Sequence, residues 1–147
     1  MRGNCYQWAF DFMLDFMWHN SEADPDQYNL CVGIVRDSQY GKCYDHAWIE
    51  DTTTAEIFNR YNSARKIKHT PKEEYYRLMN PRYVKRYTGR EMIKKVLRNG
   101  MPSLLSGVPS KVLKAPDFKG HWDDRLRSRK QTGEGPSKHL KVKLRKR

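Results

Sequence analysis

The sequence predicts an α+β domain in which one buried N-terminal helix packs on an antiparallel sheet, followed by a basic C-terminal extension. Three observations carry this prediction. Residues 6–18 are almost wholly apolar. Three strand-like segments follow, with connections too short for parallel crossovers. Residues 106–147 combine prolines and glycines with a large excess of basic side chains.

The first helix is predicted from an apolar stretch with one narrow polar stripe. Its polar residues recur every fourth position, which places them along one side of a helix; they are Gln7, Asp11, Asp15 and His19. The other sides, including Trp8 and Trp18, are expected to be core. About fourteen residues are too few to cross a bilayer, so we expect a soluble domain and no membrane partner.

Three strands are predicted after this helix. Residues 30–35 form a β-branched apolar run, residues 43–50 surround a His-Ala-Trp sequence, and residues 54–59 return after a turn. Short connections make an antiparallel meander the economical topology. Residues 82–87 alternate in polarity as a half-exposed edge strand does.

Two shorter helices are predicted on either side of that edge strand. Residues 71–79 begin with proline and acidic residues, a composition typical of a first helical turn. Thr88 and Glu91 have the spacing of a capping box. They open a second helix, which is expected to end at Asn99-Gly100.

The positive charge is concentrated in the C-terminal part. Residues 1–105 hold 16 Lys and Arg against 13 Asp and Glu, whereas residues 106–147 hold 13 against 4. We expect a domain spanning 1–105 and a basic, partly disordered extension spanning 106–147. A polycation attracts nucleic acid and other polyanions, and the alternative is a solubilising extension. The candidate nucleic-acid-binding residues are Arg125, Arg127, Arg129, Lys130, Lys138, Lys141, Lys143, Arg145, Lys146 and Arg147.

The cysteines indicate a reducing environment. Three cysteines cannot all pair and nothing in the sequence indicates secretion, so a cytoplasmic setting is expected. Cys31 and Cys43 are predicted to be buried thiols, with a cross-strand disulfide as the alternative. No metal-ligand spacing occurs among Cys and His residues, so neither a metal nor another cofactor is expected.

Cys5 is the candidate nucleophile. At the first turn of a helix, unpaired backbone N–H groups and the helix dipole favour a thiolate, which predicts a lowered pKa for Cys5. The alternative is a small buried residue at a helix start. A thiolate nucleophile needs a base and a group that orients the base. His46, on the second predicted strand, is the candidate base.

The residue that orients His46 stays open at this point. Asn59 on the next strand can reach the imidazole, because adjacent strands lie about 4.8 Å apart. Asp45, Glu50 and Asp51 are the competing candidates. Asp45 should face away from His46, because side chains alternate along a strand.

This order of residues resembles that of the papain-like thiol hydrolases, which have a cysteine at a helix N-terminus, a histidine on a strand and a polar residue on the next strand. More closely, the chain is similar to a family of small phage and bacterial proteins. The shared motifs are Gly3-Asn4-Cys5-Tyr6, His46-Ala47-Trp48-Ile49-Glu50, Asn59, residues 71–76 and Arg86-Tyr87-Thr88. The resemblance covers the predicted domain, implies a compact papain-like fold for it, and leaves out the extension.

The resemblance implies roles for individual residues. Cys5 is the nucleophile, His46 is the general base, and Asn59 stands where the family usually has aspartate. Too few residues precede Cys5 for the upstream oxyanion-hole glutamine of papain, so the backbone N–H of Cys5 and the side chain of Asn4 are the candidates for that role.

The activity expected from these roles is that of a thiol hydrolase or acyl transferase, such as a cysteine peptidase or amidase, acting on an unknown amide. A phage-encoded protein would act in the host cytoplasm or in the virion. The alternative is a non-enzymatic basic protein that belongs to a virion or associates with nucleic acid. The two functions differ in what they require of Cys5, because only the enzyme needs a reactive sulfur.

Overall fold

Helices and one antiparallel sheet make up the fold, which a computed structural model describes for residues 5–19, 26–37, 41–60 and 67–120. The five strands lie in the order β4-β3-β2-β1-β5. The α+β class and the antiparallel arrangement of the first three strands confirm the sequence prediction. The elements are α1 (Cys5–His19), β1 (Tyr28–Asp37), β2 (Lys42–Asp51), β3 (Glu56–Arg60), β4 (Ile67–Pro71), α2 (Lys72–Met79), β5 (Arg82–Tyr87), α3 (Gly89–Asn99), a 3-10 helix (Met101–Leu104) and α4 (Ser110–Leu113).

Different helices cover the two faces of the sheet. On the first face, α1 and α3 pack against a core that includes Leu30, Ala47 and Ile49. On the second face, α2 packs against a smaller core that includes Trp48 and Ile57. Because side chains alternate along a strand, neighbouring residues of β2 point to opposite faces. Each face therefore has its own chemical environment.

α1 buries most of its predicted apolar side but not its C-terminal end. The last buried residue of the helix is Leu14. Within the polar stripe, Nε2 of Gln7 donates to Oδ1 of Asp11 at 2.9 Å. The expectation that Trp18 is core is wrong, since this residue is 62% exposed. Trp18 follows Asp11 by seven residues and Asp15 by three, so it lies on the same side of α1 as the polar stripe and faces outward.

Local sequence signals determine the ends of α2 and α3. The Thr88 hydroxyl accepts from the backbone N–H of Glu91 at 3.3 Å, and the Glu91 carboxylate accepts from the backbone N–H of Thr88 at 2.9 Å. The predicted capping box is therefore present. Asn80 follows the last residue of α2 and caps the helix: it has a left-handed backbone (φ 44°), and its N–H donates to the carbonyl of Tyr76.

β5 lies at the edge of the sheet, as the sequence predicts, and a glycine allows its close approach. The pairing of β5 with β1 shifts register between Val32 and Ile34. Gly33 lies at that shift, and a Cβ there would be 3.1 Å from the carbonyl oxygen of Arg82. A side chain at this position would push the edge strand away.

β4 is the strand that the sequence does not predict. It pairs antiparallel with β3 at the other edge of the sheet. Its sequence, Ile-Lys-His-Thr-Pro, contains one large apolar residue and ends in proline. An edge strand of this composition gives almost no periodic signal, because little of it has to be buried.

The described part of the extension returns to the sheet beside Cys43. The backbone N–H of Cys43 donates to the carbonyl of Asp117 at 2.8 Å, and the N–H of Lys119 donates to the carbonyl of Cys43 at 2.7 Å. Phe118 thereby forms a parallel bridge with Cys43. β1 occupies the other edge of β2 at this point, so the returning segment lies on the side where β3 has already separated.

The expected boundary at residue 105 falls just after the 3-10 helix. Residues 106–120 continue as part of the described structure, whereas residues 121–147 lie outside the described residues. In the described ranges, no helix combines the length and the apolar character needed to cross a membrane.

Candidate active site

His46 and Asn59 meet where β2 and β3 separate. The ladder between these strands includes the pair Ile49 and Phe58 and runs away from the site, so both candidates lie beyond its end. Nε2 of His46 is 2.6 Å from Oδ1 of Asn59. With the amide in this orientation its oxygen can only accept, so Nε2 carries the proton and Nδ1 keeps its lone pair. An imidazole held in this tautomer is what a general base requires.

Burial keeps the imidazole neutral. Desolvation lowers the pKa of His46 from 6.5 to about 4, and the hydrogen bond with Asn59 opposes this shift without cancelling it. The rings of Tyr44 and Trp48 lie next to the imidazole on β2, with centroids 5.9 and 6.2 Å away. At neutral pH the ring can therefore accept a proton.

The competing candidates for orienting His46 have other partners. Asp45 points to the opposite face, as the alternation predicts, and accepts a hydrogen bond from Tyr6. Glu50 is bound by side chains from α2 and β5. Asp51 accepts hydrogen bonds within its own turn. In the described part of the chain, Asn59 is the residue hydrogen-bonded to the imidazole.

Cys5 begins α1 and rests against β2, one residue away from His46. Backbone hydrogen bonds from Ala47, Tyr6 and Cys5 itself favour the charged form of the sulfur. The contact with Ala47 places the sulfur against the strand residue that follows His46. Within the described residues, no hydrogen bond joins the sulfur directly to the imidazole, and the two side chains approach β2 from different faces.

The pKa of Cys5 contradicts the sequence-based prediction in direction. Burial raises the pKa of Cys5 from 9.0 to about 12, and the negative charge of Asp45 adds to the increase. The three backbone hydrogen bonds lower the pKa but do not compensate. The prediction considered only the effect of the helix N-terminus, which lowers the pKa. The Cys5 residue is 4% exposed, and the increase in pKa caused by desolvation is larger than that decrease. At neutral pH, Cys5 is a thiol beside a neutral imidazole.

The remaining cysteines are buried, free thiols. Cys31 pairs with Trp48 across β1 and β2, whereas Cys43 pairs with Arg36 near the other end of the same ladder. The two cysteines are therefore several residues apart along the strands. This confirms the prediction of buried thiols and shows that the alternative disulfide is wrong.

Two buried N–H groups beside His46 have no hydrogen-bond partner among the described residues. They are Nδ2 of Asn59 and Nε1 of Trp48. Unpaired buried donors are uncommon in folded proteins, because each costs about 1–3 kcal/mol. The side of the sheet that bears the imidazole therefore presents donors as well as a base.

Sequence reasoning did not identify the hydrogen bond between Tyr6 and Asp45, although its elements were visible. Alternation along β2 points Asp45 to the face that α1 covers, and Tyr6 lies in the first turn of α1. Oη of Tyr6 donates to Oδ2 of Asp45 at 2.7 Å. A polar residue that alternation points into a predicted core is the signal that would have prompted a search for this partner.

Several predicted residues lie outside the described part of the chain. Asn4 is among them, as are the ten candidate nucleic-acid-binding residues between Arg125 and Arg147. In the described ranges, no group of three or more His, Cys, Asp or Glu side chains is arranged to hold a metal ion. Comparisons with protein-family models, with characterised proteins and with solved structures find no match. The site is therefore interpreted from its own geometry.

Proposed function

We propose that this protein is a thiol hydrolase or acyl transferase of papain-like type that acts on an amide. The observation that carries the proposal is the hydrogen bond between His46 and Asn59, formed next to the strand position on which the Cys5 sulfur rests. A cysteine at a helix start, a neutral histidine in a fixed tautomer and an amide that orients it are the parts that nucleophilic acyl transfer needs.

The reaction begins from a neutral pair. As the Cys5 sulfur attacks the carbonyl carbon, its proton passes to Nδ1 of His46, a sulfur–carbon bond forms and the carbonyl oxygen becomes an oxyanion. The imidazolium then protonates the leaving amine and the carbon–nitrogen bond breaks. Water or a second amine releases the acyl group. Asn59 keeps Nε2 oriented throughout, since its oxygen accepts the same N–H in both charge states of the ring.

The positions of the Cys5 sulfur and the His46 imidazole add a requirement to this mechanism. The sulfur and the imidazole approach β2 from different faces and are not hydrogen-bonded in the described structure. The mechanism therefore requires a rearrangement at the edge of β2 from which β3 has separated, so that substrate binding brings the Cys5 sulfur and Nδ1 of His46 together. Catalytic hydrogen bonds commonly shorten when substrate binds. The backbone N–H of Cys5 and the side chain of Asn4 remain the proposed donors to the oxyanion.

Acylation of Cys5 by an activated ester tests this function. The protein is incubated with 4-nitrophenyl acetate, and mass spectrometry locates the acetyl group. We expect acetyl-Cys5 in the intact protein and at least about tenfold slower acetylation in His46→Ala, because the general base is lost. His69→Ala is the matched control, since the His69 ring stacks on the Phe58 ring, with centroids 4.3 Å apart, and takes no part in the hydrogen bond between His46 and Asn59. Equal acetylation of Cys5 in all three proteins would sink the proposal.

The second candidate function is association with nucleic acid, and the described domain contributes an observation to it. Residues 82–98 hold seven Lys and Arg against one Glu. Of these seven, only Arg86 forms an ion pair among the described residues. Arg90, Lys94 and Arg98 are exposed and recur every fourth residue of α3, so they form one basic stripe.

A truncation after Gly120 separates the contribution of the extension from that of the folded domain. This end point keeps the segment that pairs with Cys43, whereas an end at residue 105 would remove it. If the extension binds nucleic acid, the truncated protein loses most of its affinity for duplex DNA and the salt dependence becomes shallower. The alternative outcome is that the truncated protein keeps its affinity for duplex DNA and the salt dependence of that affinity. If Arg90→Gln/Lys94→Gln/Arg98→Gln then loses the affinity, binding is assigned to α3. Unchanged affinity in both variants would exclude this function.

A further inference from the structure

A hydrogen bond between Tyr6 and Asp45 joins α1 to β2 beside the candidate catalytic residues. Oη of Tyr6 donates to Oδ2 of Asp45 at 2.7 Å, and both residues are buried on the face of the sheet that α1 covers. A short hydrogen bond from a hydroxyl to a carboxylate is among the stronger kinds, and low surrounding polarity strengthens it further.

The position of this bond in the chain connects it to the site. Tyr6 follows Cys5 directly, and Asp45 directly precedes His46. Consecutive Cα atoms are about 3.8 Å apart, so a displacement of either partner is passed to its neighbour. The candidate nucleophile and the candidate base are therefore linked through two adjacent peptide bonds and one buried hydrogen bond.

Most other contacts of α1 with the sheet do not fix this geometry as directly; the exception is the hydrogen bond from the backbone of Ala47, which ends on the reacting sulfur itself. Phe10 and Met13 bury apolar side chains against the sheet. Such packing is not directional and tolerates small shifts of the helix along its axis. The hydrogen bond from Gln7 to Asp11 stays within the helix and does not reach the sheet. The bond between Tyr6 and Asp45 is directional and crosses from helix to strand.

We infer that Tyr6 and Asp45 are positioning residues that set the distance between Cys5 and His46. This inference rests on the proposed function, because positioning matters only if the two residues react together. The side chains of Tyr6 and Asp45 form no hydrogen bond with the reacting atoms in this assignment; the backbone N–H of Tyr6 bonds the Cys5 sulfur, and Tyr6→Phe leaves that N–H in place. Their contribution is to hold the start of α1 in register with β2.

Tyr6→Phe removes the hydroxyl and keeps the ring in the core. Tyr87→Phe is the matched control, because Oη of Tyr87 donates to the carbonyl of Leu104 at 2.7 Å in the same core, two strands away from β2. We expect Tyr6→Phe to slow acetylation of Cys5 by 4-nitrophenyl acetate about tenfold, since small displacements of reacting groups cost that much or more. Tyr87→Phe should change the rate by less than about twofold.

A double-mutant cycle separates positioning from a general structural role. If Tyr6 acts through the Cys5–His46 pair, Tyr6→Phe has no further effect on the acetylation rate once His46 is alanine. Multiplicative losses in Tyr6→Phe/His46→Ala would show that Tyr6 acts independently of His46 and would overturn the inference. The inference would also be overturned if Tyr6→Phe acetylates Cys5 as fast as Tyr87→Phe does while His46→Ala acetylates it slowly. Equal rates for the intact protein and His46→Ala would instead overturn the proposed function itself.

Substitutions of Asp45 keep the inference testable if Tyr6→Phe does not fold. Asp45→Asn retains an oxygen that accepts from Tyr6, whereas Asp45→Leu does not. Circular dichroism establishes that each variant is folded. Both variants lack the charge that raises the pKa of Cys5, so they are compared with each other, and we expect Asp45→Leu to acetylate Cys5 about tenfold more slowly than Asp45→Asn. Equal rates for the two variants would show that the hydrogen bond does not position the nucleophile.

Discussion

His46 and Asn59 are hydrogen-bonded at 2.6 Å across two strands whose backbone ladder has already ended. The bond is therefore made by side chains where the sheet no longer holds the strands together. Its partners are both buried, and the imidazole it fixes is neutral at physiological pH. A single substitution of Asn59 should therefore change the pKa of His46.

Replacing the amide by a carboxylate should raise the pKa of His46. In Asn59→Asp an opposite charge faces the imidazole, which favours the protonated ring. We expect the pKa to rise by at least about one unit from its present value of about 4. The Cε1–H resonance of His46, followed by NMR against pH in the intact protein and in the variant, measures this value. A midpoint that stays near 4 would show that the aspartate does not contact the ring.

The stability of the protein should fall between pH 7 and pH 5 because of His46. Its pKa is lower in the folded state than the ordinary value of 6.5. At pH values between these two pKa values, the His46 imidazole is protonated in the unfolded chain but not in the native state. The free energy of unfolding that this group contributes above pH 6.5 is therefore lost as the pH falls toward 4. A decrease from 6.5 to about 4 corresponds to about 2 kcal/mol of unfolding free energy lost between pH 7 and pH 5. Urea denaturation at each pH measures the loss.

The matched variants for this pH dependence are His46→Gln and His69→Gln. His46→Gln starts from a lower stability, because it disturbs a buried hydrogen bond, but its unfolding free energy should be nearly constant from pH 7 to pH 5. His69→Gln controls for the loss of a histidine that is not hydrogen-bonded to Asn59. A pH dependence in His46→Gln like that of the intact protein would assign the effect to other groups.

Cys5 should remain a protonated thiol across the physiological range. Its pKa is raised to about 12 by burial and by the charge of Asp45. The ultraviolet absorbance of thiolate, compared between the intact protein and Cys5→Ser, should show no titration assigned to Cys5 from pH 6 to pH 10. Asp45→Asn should move the midpoint downward, because it removes the negative charge. A Cys5 midpoint below pH 8 would indicate a preformed thiolate–imidazolium pair and a different starting state for the reaction.

Local patterns predicted the elements that position the site. The spacing of polar residues in α1, the β-branched runs and the Thr88–Glu91 box depend on neighbours in sequence, so they are visible without a structure. Alternation also predicted correctly that Asp45 faces away from His46. The adjacency of their strands made Asn59 one of several candidates for a contact with His46, and the structure shows that hydrogen bond.

Non-local features were not predicted. The pKa of Cys5 depends on what covers the sulfur, and no local pattern reports that degree of desolvation. The return of Phe118 to the edge beside Cys43 joins residues far apart in sequence. β4 pairs with β3 although its own sequence contains little apolar surface. Each case depends on tertiary burial or pairing, which one sequence encodes only weakly.

The buried carboxylate of Glu50 is paired with two cations, Lys72 and Arg86, and the free energy of unfolding should fall strongly only when both are removed. Its oxygens lie 2.9 Å from Nζ of Lys72 and 3.4 Å from Nε of Arg86, and they also accept from Cys31 and Tyr76. Both cations are about two-fifths exposed, whereas the carboxylate side chain is 5% exposed. Either cation alone still faces the negative charge, so Lys72→Met or Arg86→Met should each cost about 1 kcal/mol or less.

Removing both cations leaves a buried charge without a counterion, which costs about 3–5 kcal/mol. The unfolding free energy of Lys72→Met/Arg86→Met, measured in urea, should therefore fall by more than the two single losses combined. Adding Glu50→Gln to the double variant should recover part of that loss, because the charge itself is then absent. Additive single losses with no recovery would mean that water, rather than the two cations, compensates the carboxylate.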